Sequence, residues 1–402
     1  MFGKNKIDTN KDKINEILTR NVEDVFVLES LRKKLESGKQ LRIKLGFDPT
    51  GSNIHIGRAT VLHKLRDFQD LGHKIVFIVG DFTARVGDPS DKLEKRPMID
   101  SNKIKENLRD YKRQVGKIID LSKSEFVYNS KWLSKLDFNE IAELAESFTV
   151  SQMTSRRNFK DRLDQGQEVS IREFLYPLMQ GCDSVMVNAD VEIGGFDQLF
   201  NLKAGRTIQK YYKKPEQDVL TTVMLEGTDG RKMSTSWGNV INIIDSPDEM
   251  FGKIMSLNDE LIIKYLKVCT KVPEEEINNI ENKIKSEELN PRDAKIQLAK
   301  EIIKTYHTVD DAEKAEENFK KTFVKGDVPE NVLEVKVEKR KRLDEVLLEQ
   351  KTIDSKNEWR RLINQNGITI IESGEKVSDL NFVINETQTF RVGKKRFIKI
   401  II

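Results

Sequence analysis

Cysteine and histidine are scarce in this chain: Cys182 and Cys269 are the two cysteines, and four histidines are scattered at 55, 63, 73 and 307 among 402 residues. Neither cysteine belongs to a CxxC pair, which excludes a disulfide framework beyond one bridge and argues against a structural zinc site. Long apolar runs are absent as well. No stretch approaches the roughly 20 residues that a membrane helix requires, and the first residues are polar, without the apolar core of a secretory leader. A reducing, cytoplasmic setting with no membrane partner is therefore expected. An excess of one charge is also missing: 69 Lys and Arg face 66 Asp and Glu, a net +3, too little to announce nucleic-acid binding. The distribution is uneven, however. Residues 338–402 hold 14 Lys/Arg and 10 Asp/Glu, or +4, leaving −1 for the rest, so the basic excess sits at the C-terminal end.

What is present is enough chain for two or three domains, with 37% hydrophobic and 34% charged residues. The stretch from Leu41 to Gly72 organises it. Leu41–Phe47 reads as a buried strand, Asp48-Pro49-Thr50-Gly51 breaks it, and Ala59, Val61, Leu62, Leu65, Phe68 and Leu71 recur at helical spacing. His55-Ile56-Gly57-Arg58 lies at the start of that helix, where free N–H groups and the positive dipole end suit a phosphate chain. Lys74–Val79 reads as a second parallel strand, which makes a βαβ unit. The 8–37 segment ahead of it reads as helical. Far downstream, Asp229 to Ser236 forms a polar loop with adjacent cations, Arg231 and Lys232, and three hydroxyls. Such a loop can follow charge onto a leaving pyrophosphate. Tyr176, Gln180 and Asp183 are spaced i, i+4, i+7, so they share one helical face. Asp197-Gln198 follows a Gly-Gly pair, Gly194-Gly195, that permits close backbone approach.

HIGR and KMSTS together resemble the HIGH and KMSKS signatures of class I aminoacyl-tRNA synthetases. GFDPTGSNIHIG, VGDFTARVGDPS, YPLMQGCDSV, GGFDQLFNLKAGR and EGTDGRKMSTSWGN resemble, in order, the blocks of bacterial-type tyrosyl-tRNA synthetases, and the similarity runs into the tail. The resemblance implies an α/β architecture. A Rossmann-like parallel-sheet catalytic domain (1–237) would carry a helical insertion at about 92–150 that supplies a dimer interface. An α-helical domain that contacts the anticodon arm (238–326), a linker (327–338) and a small α+β, alpha-L type RNA-binding module (339–402) would follow.

The resemblance also implies roles. Thr50, His55 and Lys232 would be catalytic. Gly46, Asp48, His55, Gly57, Arg58, Gly195, Asp197, Arg231, Lys232, Met233, Ser234, Thr235 and Ser236 would bind ATP. Lys44, Asp88, Tyr176, Gln180, Asp183 and Gln198 would surround tyrosine, Asp183 taking the phenolic hydroxyl. Arg360, Arg361, Lys394, Lys395 and Arg396 would contact tRNA. ATP with Mg²⁺ would be substrate, with no tightly bound cofactor and no metal site, and the partners would be tRNA(Tyr), L-tyrosine and a second copy of the chain. Three positions depart from the pattern: Arg58 ends HIGR, Thr235 replaces the second lysine of KMSKS, and Lys44 stands where many relatives place a tyrosine. A tryptophan-specific cousin and a non-enzymatic RNA-binding relative are the alternatives; amino acid-dependent pyrophosphate exchange separates them.

Overall fold

The computed structural model describes residues 7–49, 53–88, 101–323, 332–337, 339–393 and 396–402. Two compact units emerge: residues 1–246 with 253–307, and residues 247–252 with 308–402. The helical region expected over 238–326 is thus shared between them.

The first unit is built on a six-stranded sheet. Its strands are β1 (Asp24–Phe26), β2 (Arg42–Phe47), β3 (Lys74–Val79), β4 (Ser124–Tyr128), β5 (Val191–Gly195) and β6 (Asp218–Thr222), in the order β1-β6-β5-β2-β3-β4. All neighbours are parallel except the edge pair β1–β6. The order reverses between β2 and β5, and in such sheets the crevice at the carboxyl ends of the reversing strands takes the ligand. These two strands share only two register pairs, Ile43↔Val191 and Lys44↔Glu192, whereas β2 and β3 share six. Beyond Lys44 the central strands part, and a Cβ built on Gly46 meets nothing within 4 Å.

The helices of this part of the chain are α1 (Lys11–Thr19), α2 (Leu28–Glu36), α3 (Ile56–Asp70), α4 (Thr83–Val86), α5 (Ser101–Val115), α6 (Ser130–Leu133), α7 (Phe138–Ala145), α8 (Val150–Thr154), α9 (Arg157–Asp164), α10 (Ile171–Met186) and α11 (Leu199–Tyr211). Two expectations are corrected here. The helical reading of 8–37 fails between α1 and α2, where Asn21 takes φ 52° and β1 joins the sheet edge. Edge pairing, a non-local interaction, overrides helix propensity there. Within the segment expected to be a helical insertion, Ser124–Tyr128 is instead a strand of the main sheet: β4 pairs with β3 over five residues. Its pattern is too short to show a partner.

α10 starts at Ser170 with a complete capping box to Glu173. It packs closely on α11 because the contact face is stripped of side chains. A Cβ at Gly181 would lie 2.6 Å from Ile208 Cγ1 and 3.0 Å from the Ala204 carbonyl; one at Gly205 would lie 2.3 Å from Gln217 Nε2. No described helix is long and apolar enough to cross a membrane. Downstream in the first unit lie α13 (Ile262–Cys269), α14 (Glu274–Lys285) and α15 (Pro291–Tyr306), after α12 (Pro247–Met255), which both units share. Asn290 caps α15, with proline at its first turn.

The second unit contains α16 (Val309–Phe323), β7 (Leu333–Lys336), α17 (Leu343–Glu349), α18 (Lys356–Asn364), β8 (Ile368–Ile370), β9 (Gln388–Val392) and β10 (Arg396–Ile401). Its sheet runs β7-β10-β9-β8 over a core that includes Leu347, Trp359, Ile363 and Phe390. The expected linker therefore holds a strand, β7, parallel to β10. At the start of α18, Ser355 Oγ accepts from Glu358 N, and the Glu358 carboxylate takes the N–H of Asp354.

Gly181→Ala is expected to destabilise the protein by about 1–3 kcal/mol, because the new methyl meets backbone as well as a side chain; urea unfolding measures this. Burial holds His63 and His73 near a pKa of about 4, with the Lys271 charge adding to the effect on His63. A histidine lowered below its unfolded value of ~6.5 contributes stability that is complete above pH 6.5 and is lost as pH falls toward 4. His73→Gln keeps an acceptor for the Leu41 N–H and is expected to flatten the fall in unfolding midpoint between pH 6.5 and 4.5.

Candidate active site

The two signature segments meet. His55 is the N-cap of α3, its Nδ1 accepting from Arg58 N at 3.3 Å; a neutral ring bonded this way carries its proton on Nε2, a donor. The chain around His55 is tied to the segment after the KMSTS loop by the His55↔Asn242 bridge and by Ile56 N to Ile241 O at 2.8 Å. The loop's stem closes through the Glu226↔Lys232 bridge. Asn239, buried, ties both sides of it: its amide donates to Asp229 Oδ1 at 2.8 Å and to Lys232 O at 3.1 Å, and its oxygen accepts from Ser234 N at 2.9 Å. A Cβ on Gly57 would lie 3.0 Å from Met233 Sδ, so glycine is what lets Met233 rest on the start of α3.

Within the loop, Arg231 is engaged by Asp229 at 2.6 Å and lies 4.9 Å over the Trp237 ring. Asn239 and Arg231 together hold Asp229 down at a pKa of about 2. Lys232 and Thr235 are exposed and Met233 is buried. Arg58 is exposed at the first turn of α3. Thr50 and the side chain of Ser236 lie outside the described residues.

The second half of the site lies under α10. Tyr176 donates to Asp48 Oδ2 at 3.0 Å, and Thr83 donates to Asp48 Oδ1 at 2.7 Å. Gly80 makes room for this, since its Cβ would fall 1.9 Å from Asp48 Oδ1. Asp48, expected near ATP, thus joins the end of β2 to α10. Burial, with the Asp48 charge next, pushes the Tyr176 phenol well above its usual pKa, so it is a donor.

Asp183 is 3% exposed. Trp132 Nε1 donates to its Oδ1 at 2.8 Å and Asn129 Nδ2 to its Oδ2 at 3.3 Å. Burial raises its pKa to about 7, against the pull of Lys44, Trp132 and Asn129. Gln198 Nε2 donates to Asp88 Oδ2 at 2.8 Å, and Asn201 bridges Gln198 and Asp88. The structure therefore brings Asp88 and Gln198 together at the end of β5. Asp197 is exposed on the short 3-10 turn before α11, its Oδ2 3.5 Å from Gln198 Nε2. A Cβ on Gly195 would lie 2.6 Å from Asp197 Oδ1.

Lys44 and Gln180 differ from expectation in what they touch. Lys44 is fully buried, its ammonium 2.9 Å from Glu192 Oε1, 2.7 Å from Ser184 Oγ and 2.9 Å from the Gln180 carbonyl. It sits beneath α10, bonded to protein groups, rather than against the open crevice. The Gln180 amide is held from below by Glu192 at 3.0 Å. Arg156 is 7% exposed and lies over the Phe159 and Phe200 rings at 4.9 and 4.5 Å. Phe159 is three residues away, but Phe200 is remote in sequence. Asn129 and Trp132 were missed as candidates; both follow β4, and their place at the carboxyl end of a parallel strand is the signal that finds them.

In the tail, Arg360 and Arg361 are exposed on α18, whereas Arg396 is paired with Glu358 at 2.8 Å. Lys394 and Lys395 lie outside the described residues. Among the described residues, no group of three His, Cys, Asp or Glu side chains is gathered to hold a metal ion.

Comparison with known proteins agrees with this geometry. Residues 36–324 match the family model of class I tRNA synthetases (W and Y). A tyrosine–tRNA ligase of Carboxydothermus hydrogenoformans is 46% identical over 400 residues, covering 96% of this chain and 97% of that protein. One from Thermotoga maritima is 44% identical over 387 residues, covering 96% of each. Among solved structures, the tyrosyl-tRNA synthetase of Archaeoglobus fulgidus complexed with L-tyrosine superposes with a TM-score of 0.61 at 24% identity, covering 77% of this chain and 100% of that one. A C-terminally truncated mitochondrial tyrosyl-tRNA synthetase of Aspergillus nidulans gives 0.63 at 24% identity, covering 78% and 95%; both likenesses concern the fold. The chain belongs to the class I tRNA synthetases of the tryptophan and tyrosine type, within the bacterial-type tyrosyl-tRNA synthetase family.

Proposed function

We propose that this chain activates L-tyrosine with Mg·ATP to tyrosyl-adenylate and pyrophosphate, then transfers the tyrosyl group to the 3′ end of tRNA(Tyr). The observation that carries this reading is Asp183. It is a buried carboxyl on α10, held by Trp132 and Asn129, in the same unit as the joined HIGR and KMSTS segments. An acid buried there can accept a phenolic hydroxyl. A ligand lacking that hydroxyl leaves it unmatched, which supports rejection of phenylalanine by roughly 10⁴–10⁵. Asp88 and Tyr176, with the oxygen of Gln180, receive the α-ammonium group, and Gln198 the carboxyl group. The carboxylate attacks the α-phosphate in line, so the protein's part is positioning and charge stabilisation. His55 donates from Nε2 to the phosphates alongside Thr50, and Lys232 meets the departing pyrophosphate. Mg²⁺ arrives with ATP, held by phosphate oxygens and water.

The basic tail contacts tRNA through Arg360, Arg361 and Arg396, with Lys394 and Lys395. The protein acts as a homodimer in the cytoplasm. Phe138, Val150 and Ile171, which are 85%, 71% and 78% exposed, are apolar side chains of the kind a second copy covers.

Pyrophosphate exchange across the twenty amino acids tests the activity: exchange with tyrosine alone is expected, and exchange with tryptophan alone, or none, overturns it. His55→Ala and Lys232→Ala are expected to lower kcat by about 10²–10³ while changing the KM for tyrosine little, since both groups act on the forming transition state. Arg360→Ala with Arg361→Ala is expected to weaken tRNA binding and flatten its salt dependence, leaving exchange unchanged.

A further inference from the structure

Lys44 and Glu192 occupy directly opposed register positions on β2 and β5, the two strands at which the sheet reverses. Both are 0% exposed. Two charges of opposite sign are thus buried at the last pair of the central ladder, directly under α10. Three neutral groups complete the cluster. Ser184 Oγ bonds both Lys44 Nζ, at 2.7 Å, and Glu192 Oε2, at 3.0 Å. Gln217 Nε2 also donates to Glu192 Oε2. Gln180 receives Lys44 Nζ on its backbone carbonyl and gives its side-chain amide to Glu192 Oε1. Gln180 and Ser184 are one helical turn apart, and Asp183 lies between them.

We propose that the Lys44–Glu192 pair is a positioning element that sets the polarity of the amino-acid pocket, fixing the orientation of the Gln180 amide and the charge of Asp183. The inference rests on the tyrosine-activating reading above. A carboxylate accepts only, so Glu192 must receive the NH₂ end of the Gln180 amide. The planar amide then turns its oxygen away from Glu192, and an oxygen is what an incoming ammonium group requires. The Lys44 ammonium, 2.9 Å from Glu192 Oε1, offsets the cost of burying that carboxylate in a dry site. With Lys44 absent, the cluster loses the charge that matches Glu192 and the carbonyl tie to Gln180, and the orientation of the amide is no longer fixed.

The same pair acts on Asp183 with opposite signs. The Lys44 charge favours ionised Asp183, and the Glu192 charge disfavours it. The other groups facing Asp183 are uncharged donors, Trp132 and Asn129 from the segment after β4, and Cys182 and Tyr176 from α10 itself. Burial keeps the thiol and the phenol protonated. The Asp48 and Asp88 charges act on Tyr176. Lys44 thus takes the position at which many relatives carry a tyrosine, but it works from beneath the pocket.

The test is pyrophosphate exchange by Lys44→Met, Glu192→Gln and the paired Lys44→Met/Glu192→Leu variant, measured from pH 5.5 to 8.5 with tyrosine and ATP varied separately. The acidic limb of kcat/KM for tyrosine is expected to move to higher pH in Lys44→Met and to lower pH in Glu192→Gln. A merely structural pair would move both variants the same way, or neither, and that result overturns the proposal. Where a single variant does not fold, the paired one decides, because it buries no unmatched charge. Its KM for tyrosine is expected to rise roughly ten-fold or more with an unchanged KM for ATP. A tyrosine KM within about two-fold of the parent overturns the proposal. Absence of tyrosine-dependent exchange in the parent protein would instead refute the functional reading on which the proposal stands.

Discussion

A carboxyl group kept out of water is the constraint around which the catalytic unit is arranged. Asp183 is hidden only because α10 lies flat on the sheet and hard against α11, and that approach depends on Gly181 and Gly205, whose missing side chains leave room for Ile208 and Gln217. Burial alone would hold the group neutral. Indole and amide donors on one side, and an ammonium below, bring its pKa back to about 7, where it answers to whatever enters the pocket. Packing, charge and recognition are one problem at this position.

The nucleotide end is solved by different means. The groups proposed to act there sit on a helix start and a cationic loop, and their placement comes from backbone ties: the bridges at His55 and Lys232 and the three bonds of Asn239. In the proposed reading the buried acid discriminates between side chains, while surface cations follow a migrating phosphate charge. The departures at Arg58 and Thr235 fall on this exposed side, where charge can be redistributed among neighbours. The departure at Lys44 falls on the buried side, where Glu192 lies directly opposite it in the sheet.

The parts legible in the sequence were those with local signals. The β2–turn–α3 unit announced itself by period and by Pro-Gly punctuation, and the i, i+4, i+7 face of Tyr176, Gln180 and Asp183 followed from helical spacing. What was not legible was non-local. Nothing near Asp24 shows that it will pair antiparallel with β6, and nothing near Arg156 shows that Phe200 will join Phe159 against it. Lys44 reads as a pocket residue until the register puts Glu192 beside it. Asn129 and Trp132 were obscured because β4 was read as part of an insertion; once it joins the sheet, its carboxyl end becomes a place to look.

The unfinished ladder between β2 and β5 carries one more consequence. After two paired residues the β2–β5 ladder ends, although Leu45–Phe47 and Ile193–Gly195 go on pairing with β3 and β6 on their other sides, and the open space beside Gly46 lies on this stretch of β2. Main-chain groups on the facing edges need partners other than each other. A ligand seated in the cleft can supply them, serving as the missing rungs that join the two halves of the sheet.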